Sequence, residues 1–325
     1  MSTAERILQQ LRAEPGTWTS GERLSRELGV SRSAVWKHVR ALRRDGYGID
    51  SSPRKGYRLT GTPPWLLPAE IREGLRTRVF GRGEIAYHRE TDSTNTRAKA
   101  LAASGAPEGT VVIAETQTGG RGRKGRTWFS PAGEGVYLSL ILRPPISPVE
   151  APKITLIAGI AVAESLLARL ADLDVHIKWP NDVLVGRKKV AGILTEISSD
   201  MDRVGFVVSG VGLNANGRRF PEEIEPVATS LALETGGPAP DRAALVRGFL
   251  ERYEHWYDLF LREGAPPVLD RWKALSRTLG SRVAVDGPGG RVTGVAREID
   301  RDGGLLVEDE QGKVHAVFSG DVEAP

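Results

Sequence analysis

The sequence predicts an α/β (α+β) protein in three parts, with a central domain built on a mixed sheet. Three observations carry this reading. A basic N-terminal stretch shows three short helical periodicities followed by two strand-like runs. From about residue 85, strand-like and helix-like runs alternate, the pattern of a sheet covered by helices. From residue 277 onward, short strands are separated by Gly-rich turns, which reads as a small β-barrel. The expected domains are 1–62, 66–276 and 277–325. The first boundary falls at Gly61-Thr62-Pro63-Pro64, a stiff polar break.

Composition narrows the classes. Of 325 residues, 40% are hydrophobic and 26% charged, enough apolar mass for a substantial core. There is no cysteine, which excludes a disulfide framework, a thiolate metal site and a cysteine nucleophile. The N-terminus MSTAERILQQ has no apolar signal core. The longest apolar run, residues 154–168, is broken by Glu164 and is shorter than the roughly 20 residues that span a bilayer. A soluble cytoplasmic protein with no membrane partner is therefore expected. The net charge of +4 is uneven: residues 1–60 carry 12 Lys/Arg against 6 Asp/Glu. A basic domain on a near-neutral body suits a polyanionic partner, although a solvated basic face would look the same on charge alone.

The first helix is expected over about 3–13, with Ile7, Leu8 and Leu11 on one face. The second covers about 20–28, with Leu24 and Leu28 inward and Gly29 as its stop. Ser31 caps the third, which runs to about Arg44 with Val35, Val39 and Leu42 inward. The turn Leu28-Gly29-Val30-Ser31 between a polar and a basic helix is a helix-turn-helix pattern. In a major groove, Arg32, Ser33, Trp36 and Lys37 would lie nearest the base edges, Ser31 is counted with them among the DNA-binding residues, and Arg40 and Arg44 would meet phosphates. Residues 47–59 read as two short strands around a basic turn, a wing. The whole resembles winged helix-turn-helix repressors, with operator DNA as the expected partner.

In the central domain, strands are expected at about 110–115, 136–143, 175–179, 190–197 and 206–213, and helices at about 93–104 and 150–171. The chemistry concentrates in residues 117–128, Gln-Thr-Gly-Gly-Arg-Gly-Arg-Lys-Gly-Arg-Thr-Trp. Between Gly119 and Arg126 lie four glycines and four cations. Such a loop cannot bury itself or hold one shape alone, and an anionic ligand would order it through backbone N–H groups and guanidinium forks. Both the dinucleotide pattern Gly120-x-Gly122-x-x-Gly125 and the triphosphate-loop pattern Gly120-x-x-x-x-Gly125-Arg126-Thr127 demand a helix next. Thr127-Trp128-Phe129-Ser130-Pro131 follows instead, a strand-like run stopped by proline, so context argues against both.

GRGRKGRTW resembles the adenylate-binding loop of the biotin–protein ligase family. Ser93-Thr94-Asn95, Lys178-Trp179-Pro180-Asn181-Asp182 with Arg187 to Leu194, and Gly210-Val211-Gly212-Leu213-Asn214 agree in order and approximate spacing across about residues 85–230. The winged N-terminus matches the repressor-bearing branch. The resemblance implies that biotin is activated by ATP to biotinyl-5'-AMP and passed to a lysine of biotin carboxyl carrier protein, the acetyl-CoA carboxylase subunit. It implies Lys189, Arg123, Lys178 and Asp182 as catalytic residues. Ser93, Thr94, Asn95, Gln117, Arg121, Gly122, Arg123, Lys189 and Gly192 would hold biotin. Arg121, Arg123, Arg126, Trp128, Lys178, Asn181, Lys189 and Asn214 would hold the nucleotide. Mg2+ would bridge triphosphate oxygens, and its protein ligands are unknown. A homodimer is implied when biotinyl-AMP is bound, and the family closes with an SH3-like domain.

The last region fits that pattern. Helices are expected at about 241–262 and 266–276, then strands at about 282–286, 291–299, 305–308 and 314–318, with turns at 287–290, 302–304 and 311–312. Two other functions compete: a biotin-sensing transcription factor without catalysis, and a lipoate–protein ligase. Lys189 and the complete loop argue against the first. The pairing of GRGRKGRTW with KWPND argues against the second.

Overall fold

The structure is a computed structural model describing residues 2–199, 203–287 and 290–323. Two compact units emerge, Met1–Trp65 and Leu66–Pro325.

The first unit opens with α1 (Thr3–Ala13), α2 (Gly21–Leu28) and α3 (Arg32–Arg44). Each begins on a serine, which is what makes helices this short viable. Ser2 and Glu5 form a reciprocal capping box, Ser20 accepts from the Arg23 N–H, and Ser31 accepts from the Ala34 N–H. Such caps contribute about 1 kcal/mol apiece. Gly29 closes α2 at φ +66, a left-handed turn that suits a residue without Cβ. The expected inward residues of all three helices are buried. Strands β1 (Gly48–Ser52) and β2 (Gly56–Gly61) form the antiparallel wing. Arg43 on α3 donates to the Ile49 carbonyl at 2.8 and 2.5 Å, fixing where the wing departs. Thr19 and Tyr57 exchange backbone hydrogen bonds beside Gly56, where a Cβ would come within 2.1 Å of the Thr19 oxygen.

In the second unit, α4 (Pro68–Arg72) precedes β3 (Ile85–Thr91), α5 (Thr94–Ala103), β4 (Val111–Gln117), β5 (Gly135–Leu142) and α6 (Pro152–Leu167). Then come β6 (Val175–Lys178), β7 (Asp182–Val185), β8 (Lys188–Ser199), β9 (Val204–Asn214), α7 (Leu231–Glu234), α8 (Arg242–Glu263) and α9 (Pro266–Leu275). The seven strands form one mixed sheet in the order β3-β4-β5-β9-β8-β7-β6, parallel only between β3 and β4. Helix α5 packs Ala98 and Ala102 on Val112, Ile141 and Val208. The larger core gathers α6, α8 and α9 with the sheet. Helix α6 is buried nearly all round, which explains its continuous apolar run. Among the described residues no helix is long and apolar enough to cross a membrane.

Strands β10 (Arg282–Gly287), β11 (Gly290–Ile299), β12 (Leu305–Glu308), β13 (Val314–Val317) and β14 (Asp321–Glu323) form an antiparallel sheet in the order β13-β12-β11-β10-β14. The expected barrel is thus an open sheet with β13 and β14 at its edges. Nor is it a separate body: Val283, Val285, Leu305 and Val307 share one core with the central sheet. The Trp179 indole donates to the Gly303 carbonyl at 3.1 Å across the same seam. Of the turn expected at 287–290, Pro288 and Gly289 lie outside the described residues.

Candidate active site

The central motifs converge on one cleft of about 380 Å³. Ser93 and Thr94 sit where β3 passes into α5, and Gln117 ends the neighbouring β4. Gln117 Oε1 accepts from the Thr94 N–H at 2.9 Å and its hydroxyl at 3.2 Å, while its amide donates to Ser130 Oγ at 2.9 Å. Ser139 donates to Asn95 Oδ1 at 2.6 Å. Asn95 in turn donates to Glu196 Oε2 at 2.9 Å, so its amide orients the pocket wall from behind.

The glycine-rich loop has hydrogen bonds of its own. Gly122 N–H bonds the Arg126 carbonyl at 2.7 Å, Trp128 N–H bonds the Gly120 carbonyl at 2.9 Å, and Lys124 turns the chain at φ +54. Carboxylates distant in sequence then hold its cations. Arg121 pairs with Glu196 at 3.1 Å; Lys124 pairs with Asp321 at 3.1 Å, and Arg126 pairs with the same carboxylate. Arg123 donates to Asn181 Oδ1 at 3.0 Å and to the Gly320 carbonyl at 3.2 Å. The protein therefore supplies partners that sequence reading assigned to a ligand alone.

Trp128 lies on the sheet where Gly192 of β8 pairs with Gly212 of β9. A Cβ at Gly212 would come within 2.3 Å of the indole, and one at Gly192 within 2.9 Å. Lys189 Nζ stands 5.2 Å over the same ring and 2.7 Å from Asp182 Oδ1. Its backbone bonds Val227 and Thr229, which fastens the segment after β9 against the start of β8. Asn214 donates to the Thr229 carbonyl at 2.9 Å. Lys178, Arg187 and Gly192 also line the cleft.

Burial pulls the Arg123 guanidinium below its usual value, a cost accepted where a cation must face inward. Burial pushes the Glu196 carboxyl up, but hydrogen bonds from Asn95 and Lys99 and the charge of Arg121 outweigh it and hold the group ionised. Burial likewise works against Asp321, which hydrogen bonding to Lys124 and the charge of Arg126 keep below the ordinary carboxylate range.

Every residue that sequence reading assigned to biotin or nucleotide lines this cleft. Glu196, Asp321 and the apolar wall of Phe220, Ile224 and Val227 were missed. No spacing rule connects Asp321 to a loop two hundred residues earlier. In the first unit, Arg32, Ser33, Trp36, Lys37 and Arg40 are exposed on α3 as expected. Ser31 is more constrained: its oxygen caps α3 and lies 2.9 Å from Ser33 Oγ.

Fold and site together define a protein ligase joined to a helix-turn-helix domain. Residues 87–214 match the biotin/lipoate A/B protein ligase family, 3–58 an HTH domain, and 278–323 the biotin protein ligase C terminal domain. The bifunctional ligase/repressor BirA of Bacillus subtilis (strain 168) is 40% identical over 325 residues, 99% of each chain. The biotin–[acetyl-CoA-carboxylase] ligase of Mycobacterium tuberculosis is 41% identical over 270 residues, 79% of this chain and 96% of that one. The Aquifex aeolicus biotin protein ligase, solved in complex with biotin and ATP, superimposes with a TM-score of 0.64 at 31% identity, over 75% of this chain and 99% of its own. The chain belongs to the bifunctional biotin ligase/repressor family.

Proposed function

We propose that this protein activates biotin with ATP, transfers it to a lysine of biotin carboxyl carrier protein, and represses transcription through its winged domain. The observation that carries the reading is the convergence of Lys189, Arg121, Arg123, Arg126 and Lys178 on one cleft beside an apolar wall. Attack of a carboxylate on the α-phosphorus brings two anions together, so cations aimed at the developing charge lower the barrier most. Lys189 bridges the biotin carboxyl and the α-phosphate, with Arg123 and Lys178 on the phosphate side. Arg121, Gly122 and Gly192 close around biotin with Ser93, Thr94, Asn95 and Gln117. Arg126, Trp128, Asn181 and Asn214 hold the adenylate. Pyrophosphate leaves. The acceptor amine then attacks the carbonyl carbon, the carbon–oxygen bond to phosphate breaks, AMP departs, and Asp182 accepts the amine's proton.

Magnesium enters with the nucleotide. Among the described residues no group of three His, Cys, Asp or Glu side chains is placed to hold a metal. Asp182 and Asp321 already face cations. Mg2+ would neutralise charge on the triphosphate and would be held mostly by the nucleotide and water. A single winged domain reads one half-site, so repression calls for a homodimer when biotinyl-AMP is bound.

The direct test is incubation with biotin, ATP, Mg2+ and a biotin carboxyl carrier domain, read by mass. A gain of one biotinyl group supports the ligase, and its absence together with no biotin-dependent ATP–pyrophosphate exchange favours a sensor. Suppression of the reaction by lipoate would reverse the choice of substrate.

Two variants probe the missed carboxylates. Glu196→Gln should raise the KM for biotin about tenfold, as expected for losing charge-assisted hydrogen bonds, with kcat nearly unchanged. An equal fall in kcat would instead put Glu196 in the chemistry. Asp321 has a depressed pKa, so its tether is present above the ordinary carboxylate value near pH 4 and is lost only as pH falls through the lower folded value. At pH 8 wild type should resist trypsin at Lys124 and Arg126, and Asp321→Asn should be cut faster there. The exposed pair contributes under about 1 kcal/mol to global stability. Identical cleavage rates would show that the pair holds nothing.

A further inference from the structure

Helix α3 carries one large apolar side chain on its outer surface. Trp36 is 52% exposed, while the helix meets its apolar needs on a separate, inward stripe of Val35, Val39 and Leu42. A solvated indole leaves much favourable burial unused. One turn further on, the Arg40 guanidinium stacks 4.8 Å from the ring centroid. That stack covers one ring face and holds both side chains along the outer surface. Ser33 and Lys37 beside them are exposed and polar.

The +6 net charge of residues 1–60 favours a nucleic acid over a protein surface. In a major groove, base edges present hydrogen-bond donors and acceptors, and the strands present phosphates. The single apolar group on that floor is the C5 methyl of thymine. Serine, lysine and arginine are suited to the polar groups. An indole pressed on them would strip their water without replacing it. The methyl is the one feature it can cover at a gain.

We propose that Trp36 is a specificity-determining residue, packing its free surface on a thymine C5 methyl in each half-site while its ring holds Arg40 toward the backbone. The proposal rests on α3 being a DNA-reading helix, as put forward above.

The test uses the full chain with biotin, ATP and Mg2+. A binding duplex is selected from a randomised library and resynthesised with each thymine in turn replaced by deoxyuridine, which removes only the methyl. One replacement per half-site should weaken wild-type binding about fourfold, the worth of one buried methyl-sized group. Trp36→Ala should bind the parent duplex at least that much more weakly and lose its response to the same replacement. Trp36→Phe should keep part of the response. Binding to an unrelated duplex at low salt reports that the Ala variant is folded, because phosphate contacts remain. Should that binding fail, the Phe variant decides: a diminished response supports the proposal and an undiminished one overturns it.

Indifference of wild type to every deoxyuridine overturns the proposal, as does undiminished methyl sensitivity in Trp36→Ala. Unchanged affinity of Trp36→Ala for the parent duplex would assign the indole to a protein partner instead. If no sequence is enriched, the DNA-reading role of α3 fails and the proposal falls with it. Enrichment without methyl sensitivity sinks the proposal alone.

Discussion

Lys189→Met is expected to lower biotin-dependent ATP–pyrophosphate exchange by about a hundred- to a thousandfold, the usual loss when one preorganised charge donor is removed. The side chain is 30% exposed at the cleft, with Asp182 at 2.7 Å and the Trp128 ring beneath it. Asp182 fixes the ammonium before substrate arrives, so little reorganisation remains for the reaction itself. Methionine keeps the length and the contact with the indole, so the loss reports charge instead of packing. Asp182 is left without its partner but is itself 23% exposed, so water relieves it and the fold should survive. Exchange within tenfold of wild type would remove Lys189 from the catalytic centre.

The second large effect concerns retention of the intermediate. Arg123→Gly should release free biotinyl-AMP and raise labelling of bystander lysines by about tenfold or more, the scale of a lost charge-assisted contact. Arg123 joins three parts of the cleft: its own loop, Asn181 at the turn before β7, and the Gly320 carbonyl before β14. Without the guanidinium, the loop loses its link to the other two and the mixed anhydride meets water and stray amines. Glycine also loosens the backbone, so Arg123→Met separates the causes: it should leak as well if the bond matters. The readout is streptavidin staining of added albumin, with free adenylate measured after filtration. Wild-type retention in both variants would show that the loop does not guard the intermediate.

Much of the fold was legible because local signals agreed. The Ser31 cap, the Gly29 stop and the apolar stripes defined α1 to α3, and the long apolar runs gave β4, β5, β8 and β9. Strand β3 was legible only as a strand of unstated bounds ahead of Ser93-Thr94-Asn95, because IAYHRET lies at a sheet edge and shows no clean alternation. β7 and β14, four and three residues long, were not read from the sequence. The shared core between the central and C-terminal sheets was invisible because it depends on which faces meet. In the cleft, the motif residues were legible through their resemblance to a family. Glu196 and Asp321 were not, since a carboxylate that balances a distant arginine leaves no trace in linear spacing. The loop, read as unable to hold one shape alone, meets its carboxylate partners from positions that linear spacing does not reveal.

The facing glycines Gly192 and Gly212 have a consequence of their own. Two bare α-carbons, side by side on adjacent strands, let an aromatic plate lie almost on the main chain. The depth of the cleft is thus set by an absence of atoms. A methyl group at Gly212 would lift the plate toward the ligand's space, one at Gly192 would press on Lys189 as well, and in both cases the chamber would shrink from its floor.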